Sequence, residues 1–224
     1  YITVLYDLQK GGVVVAGEMN TQEKILHFGR QEFLQKGFQN ASLRNIASAA
    51  GMTTGAIYTY FKDKNALFEA IVAPVCEQVE KLFVELSASY YNAGGIVGEI
   101  TTQNTTAELH RVYRLIYDNF DIFRLLIVGA EGSSKAGFVH TIVDHEVMQT
   151  LAYLERLKKA KGIDAQINRT VLHFVSESYI NTLLEPVRHN MSYEEAIENL
   201  DFLAVFYTGG WESVFREMFT EKNT

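Results

Sequence analysis

The sequence predicts an all-α protein: an N-terminal three-helix helix-turn-helix domain, then a larger helical domain. Three observations carry this fold class. Only two prolines occur in 224 residues, at 74 and 186, so long helices are open to almost the whole chain. Apolar residues return every three to four positions in one segment after another, and no segment alternates convincingly as a strand. The stretch Ser42–Lys64 has a small residue at Ala47, a glycine at Gly51 and an aliphatic residue at Ile57, the spacing that two closely crossing helices of a helix-turn-helix require.

Taken in order, residues 1–18 form an extension whose origin the sequence leaves open. It has two short apolar runs and Gly11-Gly12, but no basic leader and no run long enough to span a membrane. Residues 19–65 read as the helix-turn-helix domain and 66–224 as the second domain. Thr21 to Gly37 is the first helix, with Ile25, Phe28, Phe33 and Leu34 inward and Phe38 plugging the three-helix core. Leu43, Ile46, Ala47 and Ala50 give the second helix its inner face, Ser42 stands at its N-cap, and Gly51 supplies the positive φ that turns the chain. Thr53 or Thr54 caps the third helix, buried through Ile57 and Phe61. Its outward face holds Thr54, Gly55, Tyr58, Thr59 and Tyr60, with Lys62 and Lys64 following at once.

Asp63 to about Tyr91 reads as a long connecting helix that Pro74 kinks or briefly breaks near Ala73. Asn92 to Thr106 lacks helical period and reads as a surface connection. Helices follow over Ala107–Asn119, over Phe120 to about Ala130 and over Phe138–Lys161, with a loop at Gly129–Gly137 that fails the spacing of a phosphate cradle. Asp164 caps a helix running to about Arg188, and Ser192 caps the last, Tyr193 to Phe219.

Composition supports a globular chain: 47 % of residues are hydrophobic and 21 % charged. The one cysteine, Cys76, excludes an internal disulfide and fits a reducing cytoplasm, in an apolar stretch where it reads as a small buried side chain. The net charge of −7 is unevenly spread. Between Asn20 and Lys64 six basic residues (Lys24, Arg30, Lys36, Arg44, Lys62, Lys64) face three acidic ones (Glu23, Glu32, Asp63), whereas the chain beyond is strongly acidic. Positive charge is thus concentrated where phosphate attraction is needed.

The run GMTTGAIYTYFKDKNALFEAIV, preceded by TQEKILHFGRQEFLQKGFQNASLRNIASAA, resembles the DNA-binding domain of the tetracycline-repressor (TetR) family of bacterial transcriptional regulators. The resemblance covers about Thr21 to Val72. It implies that Arg44 reaches a base, its guanidinium suiting guanine O6 and N7. It places Thr54, Gly55, Thr59 and Tyr60 against bases or adjacent backbone, and Ser42, Tyr58 and Lys64 against phosphate, with Lys62 and the capping Thr53 beside them. Position 56 is alanine where the family often has threonine, which exchanges a hydroxyl contact for an apolar one. The resemblance also implies that the connecting helix relays ligand-driven motion to the reader helices.

The second domain offers aromatic material for an effector pocket, with Tyr113, Tyr117, Phe120, Phe123, His140 and Phe174 as candidate lining. Apolar faces around Val171–Leu184 and Ile197–Phe219 suggest an intermolecular four-helix bundle, with Val171, Phe174, Ser178, Tyr207, Trp211 and Phe215 as candidate dimer contacts. Gly209-Gly210 fits close helix approach there. A twofold dimer presents two reader helices roughly 34–36 Å apart, matching a palindromic operator. The expected partners are therefore double-stranded DNA, a second copy of the chain and an unidentified small-molecule effector, with no membrane and a cytoplasmic location.

No cofactor, metal site or catalytic residue is expected. His140 and His145 are five apart and share a helix face poorly as metal ligands, and no triad, zinc motif or paired carboxylates supports an enzyme. The competing class is an all-helical protein-interaction adaptor that does not bind DNA. The function expected is a sequence-specific DNA-binding regulator, a homodimeric repressor released from its operator by a small ligand.

Overall fold

Helix ends in this protein are set by capping chemistry that can be followed residue by residue. The computed structural model describes residues 4–7, 12–15, 19–92, 102–161 and 167–220. In the extension, β1 (Val4–Asp7) and β2 (Gly12–Val15) pair antiparallel, Leu5 opposite Val14. This hairpin departs from the strand-free reading, and its short Val-rich runs suit a strand pair better than a helix.

Helix α1 (Thr21–Asn40) opens on a capping box: Glu23 N donates to Asn20 Oδ1 at 3.0 Å, and Asn20 N donates to Glu23 Oε2 at 2.9 Å. Gly37 breaks its helical geometry at φ 69°, as expected of that glycine. Helix α2 (Leu43–Ala49) ends in a Schellman motif: Gly51 at φ 71° lets Met52 N reach Ala47 O at 2.9 Å and Gly51 N reach Ser48 O at 3.1 Å. Helix α3 (Thr54–Tyr60) is capped by Thr53, whose hydroxyl accepts from Ala56 N at 3.3 Å. Asp63 opens the next helix by accepting from Ala66 N at 2.7 Å.

Ile25, Phe33, Ile46, Ile57, Leu67 and Phe68 are fully buried, so all three N-terminal helices and the start of the fourth close one core. Phe38 does plug it: its ring stacks on Phe33 at 5.9 Å and meets Phe68 edge-on at 5.3 Å. Gly29 permits the close approach of the fourth helix, since a Cβ there would lie 3.1 Å from Ile71 Cδ1.

Helix α4 (Lys64–Asn92) runs unbroken through Pro74, so no break occurs near Ala73. Residues 93–101, the core of the expected surface connection, lie outside the described residues. Helix α5 (Thr102–Asp118) starts earlier than Ala107, and one of its added residues, Thr105, accepts a hydrogen bond from Thr208 at 3.0 Å. Helix α6 (Phe120–Arg124) passes into a π-helical turn, Leu125–Gly129. Helix α7 spans Phe138–Lys161 as predicted.

Helix α8 (Arg169–Arg188) is capped by Asn168, which accepts from Thr170 N and Val171 N; the Asp164 cap expected from the sequence lies outside the described residues. Asn190, at φ 52°, closes α8 with the same motif that Gly51 gives α2, Met191 N reaching Pro186 O at 2.9 Å. The last predicted helix is two helices. Ser192 and Glu195 form a capping box for α9 (Tyr193–Ile197), and Asn199 O begins α10 (Leu200–Thr220) by accepting from Leu203 N. The two-residue interruption brings Ala196, Leu200 and Ala204 into one cluster with Leu109, Tyr113 and Leu183.

The chain divides into two compact units. One comprises residues up to Pro74 together with Val128–Ala136, and the other comprises Val75–Ile127 and Gly137 onward. The loop Val128–Ala136 joins the first unit through Ser134, whose N–H donates to Asn65 Oδ1 at 2.8 Å and whose hydroxyl donates to Glu69 Oε1 at 2.6 Å. No described helix is long and apolar enough to cross a membrane.

Candidate nucleic-acid interface and helical cavity

In the first unit, the sequence-predicted contact residues fall on α2, α3 and the residues that flank them. Ile57 anchors α3 from behind at 0 % exposure. Tyr58 and Tyr60 stand outward at 55 % and 47 % exposure, far above what such rings show inside a core. Thr59, Gly55, Lys62 and Arg44 are also exposed, while Thr54 is half-buried. Thr59 donates its hydroxyl to Gly55 O at 3.3 Å, which leaves its oxygen free to accept. A Cβ at Gly55 would meet only Thr53 Oγ1 at 3.7 Å, so packing within the chain does not demand glycine there.

Three of the predicted contacts have structural duties. Thr53 is the α3 cap. Ser42 occupies the α2 N-cap position, yet its hydroxyl makes no capping bond; its backbone N–H instead donates to Glu32 Oε1 at 3.2 Å. Lys64, read from the sequence as a phosphate contact, directs its ammonium at Phe38 O, Gln39 O and Ala41 O at 2.6, 3.0 and 3.1 Å. Its nitrogen also lies 4.6 Å above the Phe38 ring. An ammonium has three protons. All three are used on the chain end that links α1 to α2, so the ammonium clamps that end.

In the second unit, α4, α5, α6, α7, α8 and α10 line a cavity of ≈ 250 Å³. Leu82, Phe83, Leu109, Ile142, Leu183 and Trp211 supply apolar wall, and Glu108, Glu146, Gln149, Tyr153 and Tyr179 supply polar groups. Of the residues expected to line an effector pocket only Phe123 does so. Tyr113 is sealed in the neighbouring core, where burial and then nearby Tyr117 push its hydroxyl up to about 12. Tyr117 donates to Met191 O at 3.1 Å and stacks on Phe120. His140 lies exposed beside Asp144 at 3.4 Å, and Phe174 points outward. Among the described residues no group of three or more such side chains could hold a metal.

The dimer candidates divide in the same way. Val171, Phe174 and Ser178 are exposed along one face of α8. Tyr207 and Trp211 line the cavity instead, the Tyr207 hydroxyl donating to Thr182 Oγ1 at 3.1 Å. The Phe215 side chain lies outside the described residues. Among the described side chains of α10, the exposed large apolar ones are Phe202, Val205, Phe206 and Val214, of which the sequence reading singled out none as a contact. Their i, i+3, i+4 spacing is the signal that identifies them.

A glycine-turned pair of short helices, with aromatic and hydroxyl groups outward on the second, defines a helix-turn-helix module within an all-α chain. Comparison with known proteins narrows the class. Residues 25–71 match the family model described as bacterial regulatory proteins, tetR family, so this module is similar to the one that family carries. The chain is 40 % identical over 70 residues to the HTH-type transcriptional regulator AcrR of Shigella flexneri, and 44 % identical over 52 residues to the HTH-type transcriptional repressor BepR of Brucella suis. These alignments cover 31 % and 23 % of this chain, but only 33 % and 25 % of those relatives. The fold of the whole is similar to that of the transcriptional regulator FadR from Bacillus subtilis, solved in complex with stearoyl-CoA: TM-score 0.56 at 13 % identity, covering 84 % of this chain and 97 % of that one.

Proposed function

We propose that the protein is a sequence-specific DNA-binding transcriptional regulator, acting in the cytoplasm as a homodimeric repressor that a small molecule releases from a palindromic operator. The outward face of α3, with Tyr58, Thr59 and Tyr60 exposed on a helix anchored by Ile57, carries the reading. Arg44 reads a base edge; Thr54, Gly55, Thr59 and Tyr60 meet bases or adjacent backbone; Tyr58, Ser42 and Lys62 meet phosphate. Lys64 and Thr53 hold the reader in shape.

Dimerisation is supported by the exposed stripes Val171, Phe174, Val175 on α8 and Phe202, Val205, Phe206 on α10. Gly209 and Gly210 are exposed with open space where a Cβ would stand, which lets a second copy's helix approach closely. Release is supported by the cavity, whose wall includes Val79, Leu82, Phe83 and Leu86 of the same helix that Lys64 starts. A ligand shifts operator affinity only by its differential affinity for the two states.

A mobility-shift titration against DNA flanking the protein's own gene tests the core of this reading. Salt-sensitive, sequence-preferring binding is expected, with Arg44→Ala relaxing preference at one base pair at a cost of about 1–3 kcal/mol. Tyr58→Ala is expected to weaken binding to all sequences alike. Equal weakening of every sequence by Arg44→Ala would remove its base-reading role. Sedimentation of Phe206→Glu, expected to shift a dimer to monomer, tests the α8–α10 interface.

A further inference from the structure

The second unit holds a carboxyl group that the fold does not use. Glu146 sits on the cavity-facing stripe of α7, one turn after Ile142 and two turns before Tyr153. It is partly buried by exposed area yet lies deep within the unit, so the surface it keeps is cavity surface. Among the described residues it has no hydrogen bond or ion pair. The cavity wall contains a second carboxylate, Glu108 of α5, and among the described residues no lysine, arginine or histidine. An isolated buried carboxylate is costly unless something positive faces it. The remaining wall is apolar and aromatic, with Phe83, Tyr153 and Trp211 offering ring faces of the kind that attract cations.

We propose that this cavity binds a lipophilic organic cation, an amine or quaternary ammonium whose charged nitrogen sits against Glu146 while its apolar body fills the Phe83–Ile142–Trp211 side. The inference rests on reading the cavity as the effector site and names that effector's chemical class. An anion would be repelled by an ionised Glu146, and a neutral apolar ligand would leave the carboxyl unanswered. The volume of ≈ 250 Å³ lies just under the ~300–1,000 Å³ usual for ligand sites, so the cation is small. Burial, and then the charge of Glu108, push the Glu146 carboxyl above its ordinary range. A cation seated against the carboxyl works in the opposite direction and favours its ionised form.

The test uses the full chain and three probes of similar shape: benzyltrimethylammonium, its uncharged carbon isostere neopentylbenzene, and the anion phenylacetate. Trp211, the single tryptophan, lines the cavity and reports occupancy by fluorescence. The expected result is binding of the cation about tenfold or more tighter than the neutral isostere, with phenylacetate weakest. Glu146→Gln should abolish that preference, bringing the cation's affinity to that of neopentylbenzene in the same variant. Equal affinity for cation and isostere, tighter binding of phenylacetate, or a preference that survives Glu146→Gln would overturn the assignment. Cation-selective binding with unchanged operator affinity would keep the ligand class and remove the release mechanism. Operator release by ligands with no cation preference would do the reverse.

Discussion

Two glutamates, one in each unit, show opposite uses of the same side chain. Glu32 of the reader module gathers donors: Ser42 N at 3.2 Å, Asn45 Nδ2 at 2.9 Å and Lys36 Nζ at 3.1 Å all meet its Oε1. Burial works against its charge, but the bonds from Asn45, Lys36 and Ser42 outweigh it and hold the carboxyl below its ordinary range. Glu146 has no such company, and burial with a like-charged neighbour drives it the other way. The difference separates a polar group consumed in fixing a shape from one left over for something that arrives. Glu32 is consumed by the backbone and side chains around it, whereas the cavity keeps a charge site in reserve.

The largest test of this contrast is Lys64. If its ammonium is a clamp, Lys64→Met strips three carbonyls of their donor and costs about 2 kcal/mol in urea unfolding. A variant with unchanged stability and weaker DNA binding would show that Lys64 belongs to the interface after all. Glu32→Ala should come next, at about 1–2 kcal/mol, since it frees a backbone N–H and two side-chain donors. Its pH dependence sharpens the point. A carboxyl held low in the folded state stabilises fully above its unfolded value, ordinarily 4.5, and that stabilisation is lost as pH falls through the folded value. Acid unfolding of the unaltered protein should thus be steeper than that of Glu32→Gln. The smallest effect should have the opposite sign. Glu146 is held high, so its favourable contribution is complete below the unfolded value and lost as pH rises through the folded one. Glu146→Gln should therefore raise the thermal midpoint at neutral pH without ligand, and an unchanged or lowered midpoint would mean the carboxyl is satisfied.

The legible parts of this protein were those fixed by local chemistry. Gly51 announces a turn because only a residue at ease with positive φ closes α2 there, and Ala47 and Ile57 announce the crossing by their sizes. Ser192 with Glu195 likewise writes a helix start. Asn190 does the work of Gly51 at the end of α8, but a lone Asn is a weaker sign of a left-handed residue and carried no such reading. The cavity was not legible. Helical period shows that Tyr113 and Leu109 face inward, but not whether the interior beside them is filled or empty, because that depends on six helices spread along the sequence. The available signal was Glu146 standing between Ile142 and Thr150 on an apolar stripe, an acid where period alone asks for a hydrophobe. The α9–α10 interruption was hidden for a similar reason. Ile197, Leu200 and Ala204 keep helical rhythm across it, and only the packing of Ala196 and Leu200 on Tyr113 requires the bend.

The Ser134 contacts bear on how this protein can be cut and recombined. Because Val128–Ala136 belongs with the first seventy-odd residues, the reader is not a contiguous piece of chain. A fragment ending at Pro74 would lose the donors on Asn65 and Glu69 and the loop whose Gly129 backbone lies beside Gly37. Grafting this reader onto another regulator, or another reader onto this cavity, therefore takes two segments of sequence, with the nine-residue loop travelling alongside the helices it serves.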